Sequence, residues 1–388
     1  MQDLVMDVTR LLSRGLEKKL PTGVDRVSLE YVRHFGDRAK ALVRYRGRWI
    51  ELRETASRRV FEALLAPDPE LAKIIRGCVA REFWRGWSVR KHGVLLNMGH
   101  SGLDDADYVV QLQRREMRPF FFLHDLIPLT YPEYCRAGEA KRHLRRLQTM
   151  LSMGHGLIVN SIDTRNEVER FALAQGFGTP AIAVAPLAPA AMMPVTLERP
   201  LDAPYFVMLG TIEPRKNHLM VLQVWRQLVE ELGIRAPHLV IIGQRGWECE
   251  QVVDLLERSA VLKKHVHEYG TCDDASLARW LSHAQALLFP SFAEGFGMPI
   301  VEALVLGVPV LASNLRVFEE IAGSIPDYLD PVDGLGWRSA VQDYMQPNSQ
   351  ARLAQLERLK HFQAPTWAQH FDVVESLLEQ VTHRTVRP

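Results

Sequence analysis

Short apolar runs alternate with stretches of helical periodicity along this chain, and the alternation occurs twice over. In the first half, residues 4–8, 93–97, 119–124 and 156–160 are compact apolar runs of strand length. Val24, Val27, Tyr31, Val32 and Phe35 fall on one helical face, and helical patterns recur near residues 105–117, 137–153 and 162–174. The second half is cleaner. Apolar runs at 205–209, 238–242, 265–269, 286–289 and 309–312 lead into helical patterns near 217–231, 249–258, 274–282, 299–306 and 316–321. Strand followed by helix, repeated, predicts parallel sheets with right-handed crossovers. The expected fold class is α/β, with two Rossmann-like, doubly wound parallel-sheet domains facing across a cleft. Ligands enter such sheets at the carboxyl ends of the strands.

The boundary between the halves falls at 185–204, where Pro186, Pro189, Pro194, Pro200 and Pro204 interrupt the pattern. Proline blocks helix interiors and central strands, so this stretch reads as a linker. The expected domains are 1–190 and 204–365. Residues 366–388 form a C-terminal helix and tail, in which Trp367, Phe371, Val374 and Leu377 or Leu378 recur at helical spacing and predict a buried face.

Composition narrows the class. The chain has 388 residues, 47% hydrophobic and 24% charged, close to the average for globular proteins. Four cysteines, Cys78, Cys135, Cys249 and Cys272, form no CxxC pair. They suit a reducing compartment and provide neither a disulfide scaffold nor a cysteine-built zinc site. No apolar run reaches the roughly 18 residues of a membrane span. The nearest, 286–312, is broken by Glu294, Glu302 and three prolines. The start, MQDLVMDVTR, carries acids where a signal peptide needs bases, so a cytoplasmic protein is expected. Net charge is +1, yet residues 1–200 hold 31 Lys+Arg against 23 Asp+Glu and residues 201–388 hold 16 against 23. A basic first half reads either as a solvated surface or as one that meets an anionic membrane or acceptor. The excess is too diffuse for nucleic acid. His34, His92, His143 and His155 show no ligand spacing, so no metal is expected.

Two segments carry the chemistry. The first is FPSFAEGFGMPIVEA, residues 289–303. A strand ends, a glycine-rich loop follows, and Pro299 marks the start of a helix. Glu294 and Glu302 are eight residues apart, one before the helix and one inside it. Gly295 and Gly297 let the backbone approach a ligand and leave amides at a helix N-terminus, a natural anion site. The second is FVMLGTIEPRKNH, residues 206–218. Gly210 ends a strand, and Glu213, Arg215, Lys216 and Asn217 cluster before the next helix. An adjacent Arg and Lys suit a diphosphate, one binding two oxygens at once and the other giving a point charge. Positive charge at a helix start opposes the helix dipole, and a bound anion would offset that cost.

Together these segments resemble the retaining GT-B glycosyltransferases of family 4, whose signature is a Glu, seven residues and a second Glu. Here it is EGFGMPIVE, beside the family's strand–GTIEPRKN–helix segment. The likeness is specific over residues 205–320 and weaker toward both ends. It implies the GT-B fold, with the last helix crossing back to the first domain. It implies that Arg215 and Lys216 hold the donor diphosphate and that Glu294 contacts hydroxyls of the transferred sugar. Glu302 would contact the ribose, and amides around Gly295, Phe296 and Gly297 the sugar and phosphates. Gly210, Thr211 and Asn217 belong to the same donor segment. Gly243 would line the nucleotide site, and Tyr269 with Gly270 the base.

The first half matches more loosely. Gly23, in PTGVDR between the first strand and first helix, stands where many relatives carry two adjacent glycines near the donor phosphate. His124 closes the strand PFFFLHD, where the family often places a histidine beside the sugar. Ser161 matches a family position and reads equally as a helix N-cap. His100, after another strand, is a candidate acceptor contact. Tyr131, with Pro132 and Tyr134, is either another such contact or a packed aromatic turn.

The resemblance implies an enzyme that transfers a sugar from a nucleotide diphosphate donor (GDP-, UDP- or dTDP-sugar) to a hydroxyl acceptor, with retention. It implies no cofactor and no metal. HDLIPLTYPEY resembles the enzymes of polysaccharide and lipopolysaccharide synthesis. The leading expectation is mannose from GDP-mannose, moved to a glycan or polyprenyl-diphosphate-linked acceptor at the inner face of a membrane. Two other classes fit the scaffold: a phosphorylase or epimerase, and a non-catalytic nucleotide-sugar-binding protein.

Overall fold

The structure is a computed structural model that describes residues 3–17, 19, 21–45, 47–66, 70–84, 92–190 and 198–384. These form two compact units. The first comprises Met1–Leu129, Gly138–Leu187 and Trp367–Pro388; the second comprises Thr130–Ala137 and Ala188–Thr366. This division departs from the expected 1–190 at two places: residues 188–190 go with the second unit, and so does a segment inside the range. Eight residues after the HDLIPL stretch belong to the second unit, and Tyr131 goes with them. Of the proline-rich linker, Pro194 and its neighbours 191–197 lie outside the described residues.

In the first unit, β1 (Leu4–Asp7), β2 (Ala39–Tyr45), β3 (Arg48–Glu51), β4 (Val94–Asn97), β5 (Arg118–Leu123), β6 (Gly156–Val159) and β7 (Ala181–Val184) make one sheet. Its order is β3-β2-β1-β4-β5-β6-β7. All neighbours are parallel except β2 and β3, which form an antiparallel hairpin at the edge. The sequence pattern misses that hairpin, because Lys40, Arg44 and Arg48 break up its apolar run. It also misses the helix Thr9–Leu16. The PTGVDR turn therefore lies between two helices, and Gly23 opens the second, Gly23–Phe35, not the first.

The second unit holds β8 (Tyr205–Leu209), β9 (His238–Ile242), β10 (Val266–Tyr269), β11 (Leu287–Phe289), β12 (Val310–Ser313) and β13 (Asp327–Leu329). They pair in the order β10-β9-β8-β11-β12-β13, parallel throughout. Helices cover both faces of such a sheet, so its strands are apolar on both sides. Tyr205, Val207 and Val240 enter one buried cluster, while Phe206, Met208 and Leu239 enter the opposite one. The helix Trp367–Arg384 returns to the first unit and packs on β6 and β7. Phe371, Val374 and Leu377 are its buried face, as the periodicity predicts. Among the described residues no helix is long and apolar enough to cross a membrane.

Topology already marks where a ligand can sit. From β8 the chain runs outward to β9 and β10, then returns to β11 on the other side of β8. In open α/β sheets such a reversal, at the strands' carboxyl ends, is where ligands bind. The loops after β8 and β11 are the two that carry the motifs. In the first unit the same reversal lies between β1 and β4, which are followed by Arg10, in the helix Thr9–Leu16, and by His100, in a loop.

Candidate active site

Glu294 is the hub of the second unit's site. Its carboxylate is nearly buried, with 9% of the side chain exposed. Lys216 Nζ lies 2.5 Å from Oε1 and an Arg215 guanidinium nitrogen 2.6 Å from Oε2. Ser291 Oγ donates a third bond to Oε1, at 2.8 Å. Burial by itself would raise the Glu294 pKa, but the two cations and their hydrogen bonds outweigh it and hold the group at about 2. Burial pushes Lys216 down, and Glu294 opposes that shift. The Lys216 ammonium also lies 4.5 Å from the centroid of the Phe289 ring. Arg215 is held from three sides. It donates to Glu213 Oε1 at 2.6 and 3.0 Å and to the Ala293 carbonyl at 2.6 Å. Its own carbonyl accepts from Phe292 N at 2.9 Å, which ties the β8 and β11 loops together. Burial raises the Glu213 pKa, against the pull of Arg215 and Lys216.

The backbone explains why these side chains meet. Gly210 has φ +136°, open to glycine alone, and a Cβ there would lie 3.4 Å from Lys216 Cε. Asn217 has φ 58° and donates its amide to the Pro331 carbonyl at 2.8 Å, so its side chain serves the turn that aims Arg215 and Lys216. Gly243 serves packing too. A Cβ there would meet the Gly210 carbonyl at 1.9 Å. The loops after β8 and β9 can touch only because that position lacks a side chain.

Gly297, at φ +119°, is the N-cap of the helix Met298–Val305, in which Glu302 is 4% exposed. Gly295 stands beside Glu294, and Phe296 is buried under the loop. Thr211 continues from Gly210 and packs its methyl toward Gly246. Tyr269 ends β10 with its ring 5.3 Å from Trp280, and Gly270 after it opens onto free space. The second unit thus contains all its predicted donor residues, from Gly210 to Glu302.

The first unit brings together a different set. His124 closes β5, is nearly buried, and donates Nε2–H to the Met98 carbonyl at 2.9 Å. Burial lowers its pKa to about 4. His100, at φ 59°, donates in the same way to the Phe122 carbonyl at 2.7 Å, and its ring is 5.2 Å from that of His124. His143 is the third, 5.9 Å from His100 and bonded to the Asp125 carbonyl at 3.1 Å. Burial lowers the pKa of all three histidines, against the carbonyls to which they donate, and sequence spacing gives no sign that they meet. Ser161 is fully buried and caps the helix Ile162–Gln175, accepting from Thr164 N at 3.0 Å. At the helix start beside Gly23, buried Asp25 takes Arg10 at 2.8 Å, Arg14 at 2.7 Å and Thr22 Oγ1 at 2.6 Å. Asp25 is not among the predicted site residues, although Thr22 and Asp25 form a capping box in which Thr22 N donates to Asp25 Oδ2 at 2.8 Å. Gly23 itself has open space around its Cβ position, so packing does not demand glycine there.

Tyr131 lies in neither the first unit nor its histidine cluster. It stacks on Tyr134, 6.0 Å between centroids, within the second unit.

Comparison with known proteins agrees with this geometry. Residues 194–324 match the family profile of glycosyl transferases group 1, which spans both motif loops. The chain is 29% identical over 281 residues to O-antigen chain mannosyltransferase B of Escherichia coli, covering 68% of this chain and 72% of that one. Among solved structures, HepE of Anabaena in complex with UDP aligns at TM-score 0.63 and 14% identity over 99% of both chains. The sucrose-phosphate synthase of Thermosynechococcus elongatus aligns at TM-score 0.62 and 16% identity, over 99% of this chain and all of that one. At such identities the structures speak for the fold alone, which is GT-B.

Proposed function

We propose that this chain, a GT-B glycosyltransferase of group 1, moves a mannosyl residue from GDP-mannose to a hydroxyl of a glycan or lipid-linked glycan, with retention, in cell-surface polysaccharide synthesis. One observation carries the reading: a buried carboxylate, Glu294, held between Arg215 and Lys216 at the reversal between β8 and β11. The similarity to an O-antigen chain mannosyltransferase supports the sugar and the kind of acceptor.

In this mechanism the C1–phosphate bond breaks and the acceptor oxygen bonds C1 from the same face. The acceptor proton passes to the departing phosphate oxygen. Arg215 and Lys216 stabilise the negative charge that develops on the diphosphate, where prearranged cations act without reorganisation. Glu294 then turns to hydroxyls of the sugar. It is not a covalent nucleophile, since the paired carboxylates of a retaining glycosidase stand about 5–5.5 Å apart across one bond and Glu294 is instead enclosed by cations. Two cations supply the charge that a divalent metal otherwise would, so turnover is expected to persist in EDTA. The basic balance of residues 1–200 supports peripheral contact with an anionic inner membrane and a cytoplasmic site of action.

A thermal-shift panel of GDP, UDP, dTDP and ADP, with and without magnesium, tests the donor site. A nucleotide at about 100 times its Kd stabilises by about 2.7 kcal/mol, a rise of several degrees for units of this size. GDP is expected to give that shift without magnesium, and Lys216→Ala to abolish it. No shift with any of the four sinks the reading.

A further inference from the structure

The segment Thr130–Ala137 is flanked on both sides by residues of the first unit, yet it belongs to the second. Tyr134 shows why. Its ring stacks on Phe292, 5.4 Å between centroids and 10° between planes, in the loop after β11. Its carbonyl accepts from Trp247 Nε1 at 3.0 Å, in the loop after β9. Arg136 lies 4.9 Å over the Trp247 ring. β9 and β11 flank β8, so Tyr134 touches the loops on both sides of the one that carries Arg215 and Lys216. Phe292 is itself hydrogen-bonded to Arg215 and stands two residues before Glu294. Tyr131 stacks on Tyr134, 29° between planes, and is itself 39% exposed.

We propose that Tyr131 and Tyr134, supported by Phe292 and Trp247, form the platform on which a pyranose ring of the acceptor glycan stacks. The inference rests on the glycosyl-transfer reading and names a place for its second substrate. Aromatic faces match the CH face of a pyranose, whereas the donor's diphosphate and sugar hydroxyls are matched by the charged groups around Glu294. An exposed tyrosine ring, Tyr131, stacked on the half-buried Tyr134 gives contact area with little ordering cost. Its hydroxyl remains free to meet the rim of a sugar, and its distance in sequence from Glu294 is bridged by three rings in contact.

Saturation-transfer NMR on the full chain, with GDP present, reads the contact directly. The probes are α-linked mannotriose, maltotriose and N,N′,N″-triacetylchitotriose. Transfer to the ring protons of at least one is expected in the wild type. Tyr131→Phe should keep it and Tyr131→Ala should weaken binding about five- to tenfold, the scale of one aromatic stacking contact. Tyr134→Ala should weaken it at least as much. The GDP thermal shift should be the same in all four proteins. Equal transfer in Tyr131→Ala and wild type, or no transfer from any probe, overturns the platform. A GDP shift lost in Tyr131→Ala overturns it too, because the ring would then serve the donor base. If no nucleotide shifts the wild type while glycan binding still depends on Tyr131, the platform stands and the donor reading falls.

Discussion

Glu294 occupies the cations that a diphosphate needs. In the structure its two oxygens take Lys216 and Arg215, so on the proposed reading a donor has to displace a carboxylate that is already well bound. The residue is therefore both a partner that keeps the cations aimed and a competitor for them. Removing one member of a buried charge set costs about 3–5 kcal/mol, because the others remain buried without it. Glu294→Gln should then lower the melting temperature of the free protein and enlarge the rise that GDP produces. Turnover should fall strongly, since the sugar loses its carboxylate. Differential scanning fluorimetry reads the first two effects. A GDP shift smaller than in the wild type would mean that Glu294 supports the diphosphate and does not compete with it. Lys216→Ala leaves the opposite imbalance and should lose both the GDP shift and activity.

At the scale of elements, the helix Trp367–Arg384 shows how a terminal segment is held. Phe371 packs edge-on against Tyr31, 5.1 Å away, and face-to-face with His34 at 3.9 Å. Truncating a buried phenylalanine costs about 3–5 kcal/mol through lost transfer energy and the cavity left behind. Phe371→Ala should lower the urea midpoint accordingly, and an unchanged midpoint would mean that this helix adds little to the first unit. His370, in the same turn, is fully buried. It donates Nδ1–H to the Pro186 carbonyl at 3.0 Å, and Nε2 accepts from the Tyr31 hydroxyl at 3.0 Å. Burial lowers its pKa from 6.5 to about 4, although the carbonyls beside it pull the other way. The unfolded chain therefore binds the proton more readily than the folded one. The stability His370 contributes is complete above pH 6.5 and is lost as pH falls toward 4. Melting curves taken across that range should drop with acid, and less so in His370→Gln. An equal drop in both would assign the acid sensitivity to His124 and the other buried histidines.

Over the whole molecule, charge and function divide along the chain. The residues proposed to hold the donor lie in the second unit, whose charges sum to an acidic balance, while the basic excess lies in residues 1–200. If that excess meets a membrane carrying the acceptor, the protein should float with vesicles rich in anionic lipid at low salt. Exposed charges are screened within about 10 Å at 0.1 M salt, so the binding should weaken steeply as salt is added. Absence of flotation at low salt would remove the membrane from the proposal and leave a free glycan as acceptor.

The two motif loops were legible in the sequence because their chemistry is local. Gly210, Arg215, Lys216 and Glu294 lie within two short strand-to-helix turns, Glu302 follows in the helix after the second, and the order of strands alone puts those turns side by side. The α/β alternation follows from short apolar runs between helical patterns, and the final amphipathic helix from a period of 3.6, in the same way. The β2–β3 hairpin escaped because an edge pair can carry charges that a central strand cannot. His100, His124 and His143 gather only because β4, β5 and the helix Glu139–Met153 converge, which no spacing encodes. The assignment of Thr130–Ala137 to the second unit was likewise decided by contact, when Tyr134 met Phe292 and Trp247 across more than a hundred residues of chain. Local turns are written in consecutive residues; ring stacking between distant loops depends on where the rest of the chain has already placed them.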